Sequence, residues 1–166
     1  MGSTAGDRVW ISIVGKSVFA VVNPLWACCR EGYVPDRIYL MTDTTLLDNF
    51  ERARNIISAV VAEHGKSAEI ICRRFTETDF DGILSTLREI IRVEKERGSE
   101  VAVDMTPGRK FMSAIMMSSG FGAEGRRADR IYYLYLEDER RYGNRPWMRI
   151  PAPYQRLYEM KRCLRG

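Results

Sequence analysis

Glu100-Val101-Ala102-Val103-Asp104-Met105-Thr106-Pro107-Gly108-Arg109-Lys110-Phe111-Met112-Ser113 passes from strand to helix within a few residues. Val101-Ala102-Val103 is the short apolar run that a strand buried on both faces needs, and Asp104 closes it with a carboxylate. The segment after it reads as a helix start. Thr106 can accept from free amides as N-cap, Pro107 suits the first helical position, and Gly108 lets backbone approach a ligand. Arg109 and Lys110 then put two cations into the first helical turn, where the macrodipole is positive and each costs some tenths of a kcal/mol. A bound anion would reverse that sign, and strand, tight turn and basic helix N-terminus together make a phosphate site. The competing reading is a capped helix whose two cations face solvent.

The chain of 166 residues is 45% hydrophobic, enough for one compact α/β domain to bury a core without staples. One domain over 1–166 is expected, with 1–7 as a flexible leader and 154–166 as a C-terminal helix or tail. Cys28, Cys29, Cys72 and Cys163 show no C-x-x-C pairing and no histidine cluster to complete a zinc site. Adjacent Cys28 and Cys29 also suit a disulfide framework poorly. A reduced, cytoplasmic protein without metal or cofactor is therefore expected, and no apolar run reaches membrane-spanning length. The net charge of +4 and the isoelectric point near 9.0 suit a phosphate-rich ligand without demanding one.

Taken in order, the chain reads as repeated strand–helix units. Val9 to Val14 is a central strand. Gly15-Lys16-Ser17 turns it into a helix that continues to Arg30 with Pro24 inside. A P-loop is rejected because the first glycine of G-x-x-x-x-G-K-S would fall on Trp10. Arg37 to Met41 is a second strand, followed by a helix ending at His64-Gly65, where His64 reads as a cap. Ala68 to Arg73 mixes charge with apolar residues like a sheet edge, and a helix with an Ile83, Leu84, Leu87, Ile90, Ile91 stripe follows. After the opening segment come a helix carrying Phe111, Met112, Ile115 and Met116, and a fifth strand over 130–136. Glu137 to Arg141 reads as a solvated turn. A short edge strand is expected over 147–150, limited by Pro146 and Pro151.

Such an order implies a Rossmann-like, doubly wound, mainly parallel six-stranded sheet. In the common strand order 3-2-1-4-5-6 the first and fourth strands are neighbours at the switch point, so the loops after them open the binding crevice. Gly15, Lys16 and Ser17 are thereby set beside Thr106, Pro107, Gly108, Arg109 and Lys110. Ordinary dinucleotide binding is disfavoured, since no G-x-G-x-x-G follows the first strand and only Asp43 offers a ribose-binding acid.

Asp104-Met105-Thr106-Pro107-Gly108-Arg109-Lys110 resembles the motif that closes the fourth strand of CARF domains, the CRISPR-associated Rossmann folds. That motif has Asp, then Ser or Thr two residues on, then Lys or Arg four beyond. Asp104, Thr106 and Lys110 match it, Pro107 departs from the glycine of many members, and Gly15 with Ser17 is similar to the second signature after strand one. The resemblance implies a homodimer that binds a cyclic oligoadenylate, most often the tetramer, across its two-fold axis as a type III CRISPR second-messenger sensor in antiviral defence. The ligand-binding set it implies is Gly15, Lys16, Ser17, Asp104, Thr106, Pro107, Gly108, Arg109 and Lys110, with no direct DNA binding. An alternative output is a metal-independent ring nuclease. There the ligand's own 2′-hydroxyl attacks the adjacent phosphate, Lys110 stabilises charge and Ser17 orients the ribose or phosphate. A nucleotide-using Rossmann enzyme outside the family stands as a further alternative.

Overall fold

The computed structural model describes residues 6–166. Six strands form one sheet in the order β3-β2-β1-β4-β5-β6. They are β1 (Arg8–Val14), β2 (Arg37–Asp43), β3 (Glu69–Phe75), β4 (Glu100–Asp104), β5 (Arg130–Leu136) and β6 (Gln155–Glu159). The first five are mutually parallel and β6 runs antiparallel to β5. The four long crossover helices are α1 (Val18–Arg30), α2 (Leu47–Glu63), α3 (Phe80–Glu96) and α4 (Lys110–Ser118), joined by the short α5 (Glu139–Tyr142) and α6 (Met160–Cys163).

Side-chain alternation along the strands divides the core in two. On one face Trp10 and Val14 of β1 pack with Val21, Val22 and Leu25 of α1 and Ile57 and Val61 of α2. On the other, Val9, Ile11 and Ile13 pack with Ile83, Leu87 and Ile91 of α3 and Met112 and Met116 of α4. Both faces of β1 are covered, which is why its sequence is almost continuously apolar. Pro24 sits buried within α1, and His64 caps α2, its Nδ1 2.9 Å from the Val60 carbonyl oxygen.

At the N-terminal ends of the strands the fully buried Glu94 joins three elements. It accepts from Tyr39 Oη at 2.6 Å, Ser99 Oγ at 2.9 Å and Arg37 Nη1 at 2.7 Å. Burial alone would raise its pKa, yet the hydrogen bonds and the Arg37 and Arg97 charges hold it below the usual glutamate range. Residues 1–5 of the expected leader lie outside the described residues. Asp7 is held in place, its carbonyl accepting from the Glu100 amide at 2.9 Å and its carboxylate lying 3.1 Å from Arg37.

The C-terminal region differs from the sequence reading. Trp147–Arg149 is a 3-10 turn rather than an edge strand, because the Trp147 amide is taken by Asn23 Oδ1 at 2.8 Å and prolines bracket too short a run. The edge strand is instead β6, in a segment expected to be a helix or tail. Its good helix formers are overruled by the unpaired edge of β5, against which Leu157 pairs with Leu134 and Tyr158 with Tyr133. Glu139–Tyr142 is a short helix, not a solvated turn: Asp138 caps it at the Arg141 amide, and the buried Tyr142 packs on Tyr154 with ring centroids 5.1 Å apart.

Candidate ligand cleft

At the C-terminal ends of β1 and β4 the two turns touch. A Cβ on Gly15 would lie 3.3 Å from the Gly108 amide nitrogen, tighter than ordinary van der Waals contact, so backbone meets backbone only because no side chain intervenes. Gly108 itself has φ +95°, and a Cβ there would meet Met112 Sδ at 3.0 Å. Together the turns line a cleft of about 400 Å³, whose walls include Gly15, Lys16, Ser17, Thr106, Pro107, Gly108 and Arg109. An adjoining recess of about 180 Å³ shares Ser17, Ala20, Thr106 and Glu139 with it and is walled by apolar Phe19, Leu134 and Leu136.

The helix start is later than its sequence signals. Thr106 is not the N-cap: its Oγ1 accepts from the Leu134 amide of β5 at 2.9 Å. The positive φ of Gly108 carries the chain on, so α4 begins at Lys110, preceded by Arg109 as a cap residue without a side-chain cap bond. The first amides of α4 are therefore free of a local side-chain acceptor, as an anion site requires. Arg109 is ion-paired with Glu77 at the cleft wall. Lys110 is exposed on the first turn and is not part of the cleft lining.

Ser17 caps α1, its Oγ accepting from the Ala20 amide at 3.3 Å and donating to the Gly143 carbonyl at 3.1 Å. Its proton is thus committed to the segment after β5. Asn49, which no sequence signal singled out, fixes the other side of that turn by donating to the carbonyls of Gly15 at 3.1 Å and Lys16 at 3.0 Å.

Asp104 lies beneath the cleft, completely buried. Its Oδ1 accepts from the Thr106 amide at 2.9 Å and its Oδ2 from Ser12 Oγ at 2.9 Å, so one carboxyl ties β1, β4 and the ligand loop together. Burial pushes its pKa up to about 7, against the opposing pull of the Thr106 and Ser12 hydrogen bonds. Ser12 was missed in the sequence, although a hydroxyl in the middle of an apolar strand is a signal that some buried polar group needs it.

The loops after β2, β3 and β5 also reach the cleft and bring carboxylates. Asp43 accepts from Thr45 Oγ1 at 2.6 Å, the Thr45 amide at 2.8 Å and the Glu77 amide at 2.8 Å, and these bonds lower its pKa. Asp43 is occupied in holding the Glu77 loop rather than displayed toward a ribose. Glu139 of α5 lines both the cleft and its recess. Among the described residues no group of three or more His, Cys, Asp or Glu gathers as a metal site, and no helix is long and apolar enough to cross a membrane.

This sheet, with a glycine-lined cleft where β1 and β4 diverge, is the Rossmann-like architecture of the CARF class. The chain belongs to the CRISPR-associated protein NE0113 family, whose description matches residues 30–161. Among solved structures it is similar in fold to Csm6 of Enterococcus italicus, determined bound to cyclic hexa-2′-fluoro-hexa-dAMP. The TM-score is 0.58 at 16% identity over 76% of this chain and 33% of that one, so the chain spans about a third of the Csm6 length. No curated protein matches the chain.

Proposed function

We propose that this chain is a single CARF domain that binds a cyclic oligoadenylate, cyclic tetra-adenylate above all, across the two-fold axis of a homodimer. In this reading it serves as a cytoplasmic sensor of the type III CRISPR second messenger. The observation that carries the reading is the backbone contact of Gly15 with Gly108, which sets two turns and the uncapped start of α4 around one cleft. Phosphates fit the amides and Arg109, and the recess beside the cleft, where Phe19, Leu134 and Leu136 stand among the polar Ser17, Asn23 and Thr106, suits a nucleobase. Because the ligand is a symmetric ring, a symmetric pair of such clefts would hold it, each chain supplying half. The fold shared with a cyclic-oligonucleotide-bound Csm6 supports the same reading.

The ligand-binding set is then Gly15, Lys16, Ser17, Thr106, Pro107, Gly108 and Arg109 at the cleft, Asp104 as the strut below, and Lys110 from the exposed first turn of α4. Calorimetry with cyclic tetra- and hexa-adenylate, beside light scattering for the dimer, tests the proposal. Saturable binding at one ring per two chains is expected, and no heat with either ring would refute it.

A ring-nuclease reading gains one specific observation, the Glu139 carboxylate at the cleft, since the sequence offered no general base. In it the ligand's 2′-hydroxyl gives its proton to Glu139 and attacks the adjacent phosphorus, the P–O5′ bond breaks, and the leaving 5′-oxygen takes a proton from water, giving a 5′-hydroxyl and a 2′,3′-cyclic phosphate. Mass spectrometry of the ligand after incubation with excess protein, with and without EDTA, decides between sensing and cleavage.

A further inference from the structure

Sharing no residue with the ligand cleft, α3 and the loop after α4 enclose an open groove of about 500 Å³ lined by Arg88, Glu89, Arg92, Phe121 and Arg126. Each lining feature is unfavourable for a free surface. Arg88 and Arg92 stand at i and i+4 on α3, a spacing at which like charges repel. Phe121 is 53% exposed, one of few large apolar side chains left open to solvent. Glu89 faces Arg73 at 3.6 Å, Arg92 of the groove donates to both carboxylate oxygens of Glu96 at 2.8 and 3.0 Å, and the exposed Glu124 stands in the same loop as Phe121 and Arg126. Among the described residues Arg88 and Arg126 have no such partner.

The positive field extends past the groove. Arg127 follows Arg126 directly, and after burial as the first cause Arg127 and Arg165 help lower the Lys161 pKa against the opposing pull of Asp129 and Glu159. Cations spaced along a surface beside an exposed ring match phosphates spaced along a strand beside exposed bases. A duplex hides its bases and would leave the exposed Phe121 ring without a stacking partner, whereas a single strand offers both phosphates and open bases.

We propose that this groove binds single-stranded nucleic acid, a base stacking on Phe121 while flanking phosphates engage Arg88, Arg92 and Arg126. The sequence reading anticipated no such contact, because these residues come together only where the loop after α4 meets α3. The proposed contacts are to phosphates and to the face of a base, which RNA and DNA share, so both serve. The proposal is independent of the cyclic-ligand reading.

Fluorescence anisotropy of the full chain with labelled single-stranded RNA and DNA of ~12 nucleotides tests it, at about 50 and 200 mM salt. Binding of both within about 3-fold of each other is expected, with a marked loss at the higher salt. The Arg88→Glu/Arg126→Glu pair should lose at least ~10-fold and show a flatter salt dependence. Phe121→Ala should lose ~5-fold or more with the salt slope unchanged. Thermal melting checks each variant, and Arg88→Ala/Arg126→Ala replaces the charge-reversed pair where that pair fails to fold. Absence of binding, variants equal to the wild type, or duplex bound as tightly as single strand would overturn the proposal. An Arg-dependent, Phe121-independent affinity would also overturn it by reducing the groove to a polyanion patch.

Discussion

Asp104→Asn should stabilise the protein at alkaline pH and lose that advantage in acid. Burial raises the Asp104 pKa from its usual 3.8 to about 7, whereas in the unfolded chain it returns to about 3.9. Between those values the folded chain holds a proton that the unfolded chain has released, so stability falls as pH rises. The contribution is fully present below the unfolded value and is lost as pH climbs through the folded one. Three pKa units at 1.36 kcal/mol each set a ceiling of about 4 kcal/mol on the penalty above pH 7, of which about 1.5 has already accrued by pH 5. From pH 5 to pH 8 the wild type should therefore lose about 2.5 kcal/mol relative to the asparagine variant.

The substitution also has a pH-independent cost. The asparagine carbonyl can still accept from the Thr106 amide and its NH2 can donate to Ser12 Oγ, where the carboxylate now accepts at 2.9 Å in both contacts. The reference for this cost is the protonated acid, and trading its neutral bonds for those of the amide costs about 1 kcal/mol at every pH. The variant should thus be within about 0.5 kcal/mol of the wild type at pH 5 and more stable at pH 8 by about 3 kcal/mol. Urea unfolding at pH 5, 6, 7 and 8, followed by tryptophan fluorescence, measures the difference directly. A variant whose offset from the wild type does not change with pH would show that Asp104 does not titrate in this range, and the argument from its burial would be wrong.

Other expectations follow from single contacts. Glu77→Gln frees Arg109 for a ligand phosphate and should tighten cyclic tetra-adenylate ~2- to 5-fold, the worth of an exposed ion pair. Arg109→Ala should weaken it ~10-fold or more, and the double variant should equal Arg109→Ala by calorimetry. Lys110→Ala should cost about 1.5 kcal/mol per phosphate contact, with the exposed Arg52→Ala of α2 as control; equal affinities would remove Lys110 from the site. Glu94→Ala strips Arg37, Tyr39 and Ser99 of a shared buried acceptor and should destabilise by about 3 kcal/mol in urea. Since Glu94 has a lowered folded pKa, its contribution holds above the ordinary glutamate range and fades as pH falls through the lowered value, so the deficit should shrink in acid.

The strand order and the meeting of the first and fourth strands were legible because apolar runs and turn residues are local signals, and right-handed crossovers leave few ways to assemble them. Thr106, Pro107 and Gly108 also identified the correct turn while misplacing its helix. The sequence shows that Gly108 permits a positive φ, but not that Thr106 Oγ1 is needed by Leu134, from a strand far along the chain. β6 was misread for a similar reason. Its residues favour a helix in isolation, and only the open edge of β5 makes them a strand. Glu77, Asn49 and Glu139 carry no local mark, being ordinary polar residues whose importance comes from loops converging at one end of the sheet.

That convergence determines how an anion would be held in the cleft. Lys16 and Arg109 face Asp43, Glu77 and Glu139 across it, so net charge alone does not attract a ring of phosphates. Asp43 stays ionised, since its three hydrogen bonds lower its pKa, and Glu77 is paired with Arg109, which leaves Lys16 facing the carboxylates of Asp43 and Glu139. Affinity must then come from directional donors, the free amides at the start of α4 and whichever cations the ligand draws in, and from a second copy of the same cleft. Directional donors release few counterions, so binding of the cyclic ligand should depend only weakly on salt. The arginine groove between α3 and the loop after α4, which works through charge, should show the opposite. Titrating both ligands across the same salt range separates the two sites without a single mutation, and equal slopes would mean that one of them has been assigned the wrong physics.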